Sequence, residues 1–559
     1  MIKNYSASAD TTITNSFKPD LLNRGTGSNM GAADVLEVFS IFGQGSGSSD
    51  ELSRVLIQFP IDTITSDRTA GDIPASGSVD FFLKLYNAPH TDTLPKNCTL
   101  EVKPLRQAWQ EGRGLDMDEY KDETLELEGS NWIYAASGSK WVGDDSGETV
   151  GGNFFDDELA DNDTTDNGLS GHRRLYTQFF TDGTEDLEIK ITELVEEWIA
   201  GTITNYGMIV KLSGTHEAFH SGTNVTINNG GAPTGPPVDA SPNLSSLNNL
   251  TGSEDSFYTK KFFARSSQYF FKTPKIQARF DDSKKDDSSN FFVSSALAPE
   301  LDNVNTVYLY NYVRGQLQNI PSIGDSDIYV AFHTGSSREN LDPVPCEVKD
   351  LVKGVTSDAF HTYVTGGYVS TGIYSASVVV TSSLSSNNFY FPVWGSKDGA
   401  GATALFTGSA IDAKLIDTRQ GNPSPTYVNQ MTNLKPSYSV EEKARMRLFV
   451  RENDWCPTIY TIAQKEQRDL KIVEDSYYKV YRIIDDLEAI PYGTGSSTTP
   501  QAIGNNESFT RLSFDSSGSY FDLDMSLLEP GYSYGIKFVH YTNGDWREQP
   551  EVFKFRVEK

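Results

Sequence analysis

Apolar residues recur along this chain mostly at alternate positions, in runs too short for helices. "LSRVLIQFPI" (52–61), "SVDFFLKLY" (78–86), "TLEVKPL" (99–105), "YGMIVKL" (206–212) and "PKIQARF" (274–280) are rich in β-branched and aromatic residues. Clusters of Gly, Asn, Asp, Ser or Pro bound them, which predicts strands. In the first run Leu56 and Gln58 fall on one face and Val55, Ile57 and Phe59 on the other. That alternation predicts a strand with one face in a core. Strands at this spacing, with few helical patterns between them, predict an all-β chain of tandem antiparallel β-sandwiches.

One segment has helical spacing, "ITELVEEWIAG" (191–201). Thr192 suits the N-cap, and Glu193, Glu196 and Glu197 suit the N-terminal end of a helix dipole. Leu194, Val195, Trp198 and Ile199 share a face, and Gly201 is a natural C′ stop. A helix of about two turns is unstable alone, so it must dock that face on a sheet.

Several of these segments, taken in order, resemble a known family. They are "LSRVLIQFPI", "DFFLKLYNA", "VKPLRQAWQEGRG" with "NWIYA", "LEIKITELVEEWIAGTITNYGMIVKL" and "FYTKKFFARSSQYFFKTPKIQARF". Together they resemble the DNRLRE-type β-sandwich domain over about residues 5–283. The most specific parts are Trp109 with Glu111, Trp132, Trp198 with Gly201, and Asn205-Tyr206-Gly207. The namesake hexapeptide is absent, and long insertions occupy about 142–185 and 213–255. The resemblance implies a jelly-roll module with a short helix. Some family members bind carbohydrate and many are stalk or adhesion modules.

The remainder carries a local signature. "LLEPGYSYGIKF" holds Leu528-x-Pro530-Gly531-x-x-Tyr534. It resembles the tyrosine corner of immunoglobulin-like and fibronectin-type sandwiches. Tyr374 in "TGIYSASVVV" follows a glycine in a weaker version of the pattern. Polar breaks at "DDSKKDDSSN" (281–290) and "LKPSYSVEEK" (434–443) divide the chain into 1–283, 284–436 and 437–559. The last two read as immunoglobulin- or fibronectin-like sandwiches.

Composition narrows the function classes. The chain has 559 residues and a formal net charge of −29. That field repels phosphate backbones, and no basic stripe interleaves with aromatics, so nucleic acid is not an expected partner. No run approaches the ~20 apolar residues of a membrane span. The start, "MIKNYSASADTTITNSF", lacks the apolar core of a signal peptide. Cys98, Cys346 and Cys456 are distant and odd in number, which predicts free thiols made in a reducing cytoplasm.

Candidate chemistry is sparse. His216-Glu217-Ala218-Phe219-His220 reads H-E-x-x-H, the zinc-protease helix motif. Glycines at 214 and 222 confine any helix to barely a turn and a half, so the expected reading is a loop at a sandwich rim. Asp161, Asp163 and Asp166 in "DDELADNDTTDNG" are spaced somewhat like a calcium loop but lack its glycine and closing glutamate. A solvated acidic loop is expected there. No dinucleotide fingerprint, nucleophile elbow or Walker A motif is present, so neither catalysis nor a cofactor is expected. Trp109, Trp132, Trp141 and Trp198 suit either a core or a sugar-stacking platform.

Sandwich modules with no export signal and unpaired cysteines point to a protein that assembles in a bacterial cytoplasm and leaves by lysis. The C-terminal segments "YYKVYRIIDDLEAIPYGTG" (477–495), "SFDSSGSYFDLDMSLLEPGYSYGIKF" (513–538) and "EVFKFRVEK" (551–559) resemble, in texture, the ends of structural proteins from marine T4-like tailed phages. The expectation is a homo-oligomeric virion subunit of the tail, baseplate or neck, in contact with other virion proteins. The alternative is a carbohydrate-binding adhesin or receptor-binding module acting through the first domain. Aromatic-rich "SQYFFKTP" (267–274) and "NNFYFPVWG" (387–395) are candidate contact segments; the alternative for both, and an equal one for the second, is an ordinary strand with its aromatics in the domain core.

Overall fold

The computed structural model describes residues 1–42, 50–90, 94–115, 128–143, 147–155, 175–217, 255–352, 355–381, 389–398, 401–415, 425–453, 470–493, 508–542 and 544–559. It is mostly β-sheet, and the chain divides into two compact units, Ile2–Phe280 and Asp281–Lys559 with Met1.

In the first unit the strands are β1 (Ile2–Ser6), β2 (Ala9–Thr14), β3 (Val35–Phe42), β4 (Asp50–Gln58), β5 (Asp80–Leu85), β6 (Cys98–Pro104), β7 (Tyr134–Ala136), β8 (Ser139–Lys140), β9 (Tyr176–Phe180), β10 (Leu187–Lys190), β11 (Met208–Leu212), β12 (Phe257–Phe263) and β13 (Lys275–Arg279). Two antiparallel sheets form, β1-β13-β5-β10 and β12-β3-β4-β11-β6-β9, with β2 also paired to β4. Past its end β5 crosses to the larger sheet, where Asn87 bridges Phe262.

The alternation in β4 is real, but its expected solvated face is closed. Val55, Leu56 and Ile57 are all fully buried. Leu52 and Leu56 pack with Ile13, Ile209, Trp132 and Trp141 in a separate apolar cluster. The two tryptophans come from the segment between β6 and β9. That segment gives β4 a core on a second face.

The helix Thr192–Ala200 forms as its spacing predicts. It ends at Gly201, in the left-handed region at φ 72°, which a Cβ would disfavour. Leu194, Val195 and Trp198 are buried, and so is Glu197, which the expected face leaves out. Thr192 is the first helical residue and not the cap, because its hydroxyl accepts from Phe81 N at 2.9 Å. Another helix, Ile61–Ala70, escapes the sequence pattern. Only Ile61 and Ile64 of it are buried, too few to mark a face. Its Arg68 makes a two-armed ion pair with Glu196 of the other helix, at 2.6 Å on each arm.

In the second unit a strand path runs through Val355–His361, Val348–Val352, Ile373–Val380, Val364–Ser370, Ile328–Ser337, Phe389–Asp398 and Gly401–Thr407. Val307, Phe332, Tyr374, Val378, Tyr390 and Trp394 meet there in one apolar core. The C-terminal part packs a four-stranded sheet on a six-stranded one. Tyr478 stacks on Phe521 at 4.1 Å, and Phe538 meets Phe521 edge-on at 6.0 Å. Tyr427–Met431 belongs to this four-stranded sheet, paired with Lys443–Glu452. The C-terminal sheets therefore begin before the polar break at 434–443. Ser437–Ser439 pairs in parallel with Phe553–Glu558, one exception to the antiparallel rule.

Candidate functional site

The H-E-x-x-H segment follows β11 as a single turn, Gly214–Glu217. Glu217 is 2% exposed and locked by charge. Arg54 Nε and Nη2 donate to its two carboxylate oxygens at 2.9 and 2.7 Å, and Lys211 Nζ adds 3.1 Å. Burial alone would raise its pKa. The charges of Arg54 and Lys211 outweigh that and hold it below the usual carboxylate range. Glu101 continues the network, 3.3 Å from Lys211 and 3.6 Å from Lys103. Arg54 also donates to Gly151 O at 2.7 Å and lies over the Trp132 ring at 5.2 Å. Both Glu217 oxygens are engaged by cations, so the carboxylate is placed as a structural anion and not as a base for water. His216 Nδ1 lies 2.7 Å from Ser213 Oγ and accepts from Thr99 N at 3.3 Å. His220 lies outside the described residues, as do Asp161, Asp163, Asp166 and Cys456. Among the described residues no group of three His, Cys, Asp or Glu is disposed to hold a metal ion.

The family-like residues hold segments together. Trp109 Nε1 donates to Tyr206 O at 2.8 Å. Glu111 accepts from Asp10 N at 2.9 Å and clamps Arg265 with both oxygens at 2.8 Å. Asn205 Nδ2 donates to Phe59 O at 2.8 Å, and its Oδ1 accepts from Gly207 N at 3.0 Å. Gly207 has φ 86°, and a Cβ there would stand 2.2 Å from Ile57 O, so the Asn-Tyr-Gly turn needs glycine. Trp132 and Trp141 are fully buried and Trp198 is 5% exposed. None of these three presents a face to a sugar. The sequence pattern misses Asn29, whose Nδ2 donates to Glu111 O and Ser130 O at 2.8 Å each.

At the other end of the chain, Tyr534 OH donates to Glu529 O at 2.9 Å, five residues upstream, the geometry of a tyrosine corner. Leu528 is buried beside it, and Gly531, at φ 96°, lets the chain turn after Pro530. Tyr374 departs from that pattern. Its hydroxyl reaches fifty residues back, to Gly324 O at 2.7 Å. A further cluster is invisible in sequence: Ser476 Oγ, His540 and Asn429 Oδ1 follow one another at 2.8 and 3.0 Å. The order is that of a nucleophile, base and orienter. Yet the three are 1%, 0% and 4% exposed, and burial pushes the His540 pKa down to about 4. The cluster is a closed hydrogen-bond network with no room for a substrate.

Exposed side chains tell a different story. In 267–274, Tyr269 and Phe270 are 46% and 59% exposed. In 387–395 the candidate contact aromatics are core instead: Tyr390, Phe391 and Trp394 are all buried, because their strand lies inside the sheet between Ile328–Ser337 and Gly401–Thr407. The neighbouring Gly401–Thr407 is the exposed one. Thr403, Ala404, Leu405 and Phe406 are all open to solvent, and the strand has no charged residue.

No helix among the described residues is long and apolar enough to cross a membrane. No protein-family model matches the chain, and no curated protein matches it. A solved structure described as "crystal structure of chicken TCR for 2.0" has 11% identity to it, covering 46% of this chain and 94% of its own, with a TM-score of 0.15. A likeness that weak carries no argument.

Proposed function

We propose that the chain is a structural subunit of a tailed-phage virion, in the tail, baseplate or neck, where it joins neighbouring subunits and turns over no substrate. The observation that carries this reading is the free edge strand Gly401–Thr407. Among the described residues it pairs only with Phe389–Asp398, and it exposes Leu405 and Phe406 by 44% and 45%. Sheet edges on isolated proteins are usually guarded by charge, proline or a covering segment. The strand itself carries no charged residue on a chain of net charge −29; Arg338 reaches its end, over the Phe406 ring at 5.0 Å and to Thr407 O, and the remaining backbone edge is suited to strand addition by a neighbour. Tyr269 and Phe270 offer a second contact of the aromatic kind that interfaces favour.

Three further features fit. Glu217 serves a buried ion network, the Ser476-His540-Asn429 cluster is closed, and Trp132 and Trp141 are core. The alternative, a glycan-binding module using those tryptophans, would need them at the surface.

The test is a contact map of the native particle together with the protein content of purified virions. Contacts through 401–407 or 269–270 are the expected result. Absence of the chain from purified virions would overturn the reading.

A further inference from the structure

Lys260 on β12 has a side chain that is almost wholly enclosed, at 1% exposed. Its Nζ lies 2.6 Å from Asn87 Oδ1, 2.7 Å from Gly183 O and 2.8 Å from Glu185 O. The rings of Phe180 and Phe262 stand 5.0 and 5.1 Å from Nζ. Asn87 lies opposite Phe262 in the strand crossing. Lys260 is two residues from Phe262 and so faces the same side. Asn87 is held from two further directions, one at its backbone and one at its carboxamide. Its backbone N–H donates to Asp186 Oδ1 at 2.8 Å, and His90 Nε2 lies 3.2 Å from the same Oδ1 that receives Lys260. An oxygen that already accepts from an ammonium is an acceptor, so His90 Nε2 must carry the proton of that contact.

We propose that Lys260 and Asn87 are a site of covalent cross-linking, an amide bond between the lysine Nζ and the asparagine Cγ formed within the folded chain. The chemistry is balanced without an oxidant or cofactor. The ammonium gives up one proton to solvent, in the equilibrium that burial shifts toward the free amine, and that amine attacks Cγ. The Cγ–Nδ2 bond breaks, and ammonia leaves with the second Nζ proton. The new amide keeps the third proton. Three features of the site favour this step. Desolvation activates a lysine as nucleophile by favouring its neutral form. Burial lowers the Lys260 pKa to about 8, against the opposing charges of Glu185 and Asp186. The His90 N–H points at the oxygen on which charge develops in the tetrahedral intermediate. A nitrogen hydrogen-bonded to the carboxamide oxygen needs only a small side-chain rotation to meet the carbon at the attack distance of about 3–3.5 Å. The apolar walls of Phe180 and Phe262 keep water from competing.

The cross-link would tie β12 to the β5 extension and close a covalent loop between residues 87 and 260. Cys98, the cysteine described in this unit, is a free thiol. An amide staple would give the sandwich a covalent constraint that needs no oxidising compartment. The proposal stands or falls independently of the virion reading.

The test is the intact mass of the purified full chain, followed by peptide mapping. The expected mass is lower than the sequence mass by one ammonia, with a branched peptide that joins Lys260 to Asn87. Lys260→Met and Asn87→Ala should each remove both signals. Because either variant could fail to fold, the unmutated chain decides the matter first. A wild-type mass equal to the sequence mass overturns the proposal. So does an ammonia loss that maps elsewhere, such as a succinimide at Asn229-Gly230.

Discussion

The two units solve the same packing problem with different materials. Among the described residues every buried lysine, Lys103, Lys211, Lys260 and Lys275, belongs to the first unit, and so do Arg54 and Glu217. The middle sandwich has a large apolar cluster, from Phe291 to Ile411, with no buried lysine or arginine among the described residues, while its edge strand leaves Leu405 and Phe406 in water. In the first unit Trp132, Trp141, Val150 and Phe154, from the segment between β6 and β9, cover one face of the larger sheet. Side chains that alternation would send to solvent become internal, and their charges must be neutralised by partners. In the middle sandwich no strand among the described residues pairs with the outer side of Gly401–Thr407; Arg338 lies over the Phe406 ring at 5.0 Å and donates to Thr407 O, yet Leu405 and Phe406 stay exposed. One unit has closed in on itself, and the other keeps an edge suited to a neighbour.

The sharpest way to break this contrast is to remove the cation at the centre of the first unit. Arg54→Ala deprives Glu217 of both guanidinium bonds and Gly151 O of its donor. Breaking a buried ion pair from one side costs about 3–5 kcal/mol, because the remaining charge stays uncompensated. The loss should appear in the denaturant transition of the first unit and leave that of the second unchanged. A loss under about 1 kcal/mol would mean that the network is solvated, and the contrast between the units would disappear.

A smaller effect is expected at the C-terminal corner. Tyr534→Phe leaves the Glu529 carbonyl without its hydroxyl donor and should destabilise the C-terminal sandwich by about 1–3 kcal/mol. Here the loss must fall in the second unit's transition. An unchanged midpoint would show that the Tyr534 hydroxyl bond contributes nothing measurable to this sandwich.

The corner was legible because its parts lie within seven residues, and so was the helix 192–200, whose periodicity is local. The buried charges were not. Nothing in "LSRVLIQ" says that Arg54 will meet Glu217, which is 163 residues away. Nor does alternation reveal that Trp132 will close the face carrying Leu56. The pattern reports which side chains share a face, not whether an insertion arrives to cover it. The helix 61–70 was hidden for the converse reason: it buries two isoleucines and holds its place partly through Arg68 and Glu196. In "NNFYFPVWG" the aromatics suited either a core or an interface, and only the strand's place inside the sheet decided for the core.

A third prediction concerns pH. Asp10 is 1% exposed, and burial together with the charge of Glu111 raises its pKa to about 7, against the Arg265 N–H and guanidinium that favour the anion. Its folded pKa lies above the unfolded value of about 4. The folded state therefore holds a proton that the unfolded state releases, and stability falls as pH rises from about 4 to about 7. Glu217 acts in the opposite sense, since its depressed pKa gives stability that is lost only as pH falls below the unfolded carboxylate value. Asp10→Asn should flatten the loss between pH 5 and 7 in the first unit, read as thermal midpoints in matched buffers. A wild-type midpoint that climbs across that interval, with no change in the variant, would show that Asp10 is ionised in the fold.

The smallest effect on stability should come from the exposed edge, and there the consequence lies in assembly. Leu405 is 44% exposed on a strand whose neighbours Thr403, Ala404 and Phe406 are also open. Leu405→Lys removes no core contact, so the second unit's stability should change by no more than about 0.5 kcal/mol. The new charge guards the edge in the way isolated sheets guard theirs. The variant chain should therefore fold normally yet enter particles far less readily than the wild type, measured by competition between tagged copies. Leu405→Thr, neutral and still suited to a strand, should enter better than Leu405→Lys. A destabilisation above about 2 kcal/mol would place Leu405 in a core and erase the difference between the two units. Normal folding with undiminished uptake of the lysine variant would move the contact elsewhere, with Tyr269 and Phe270 the next surface to test.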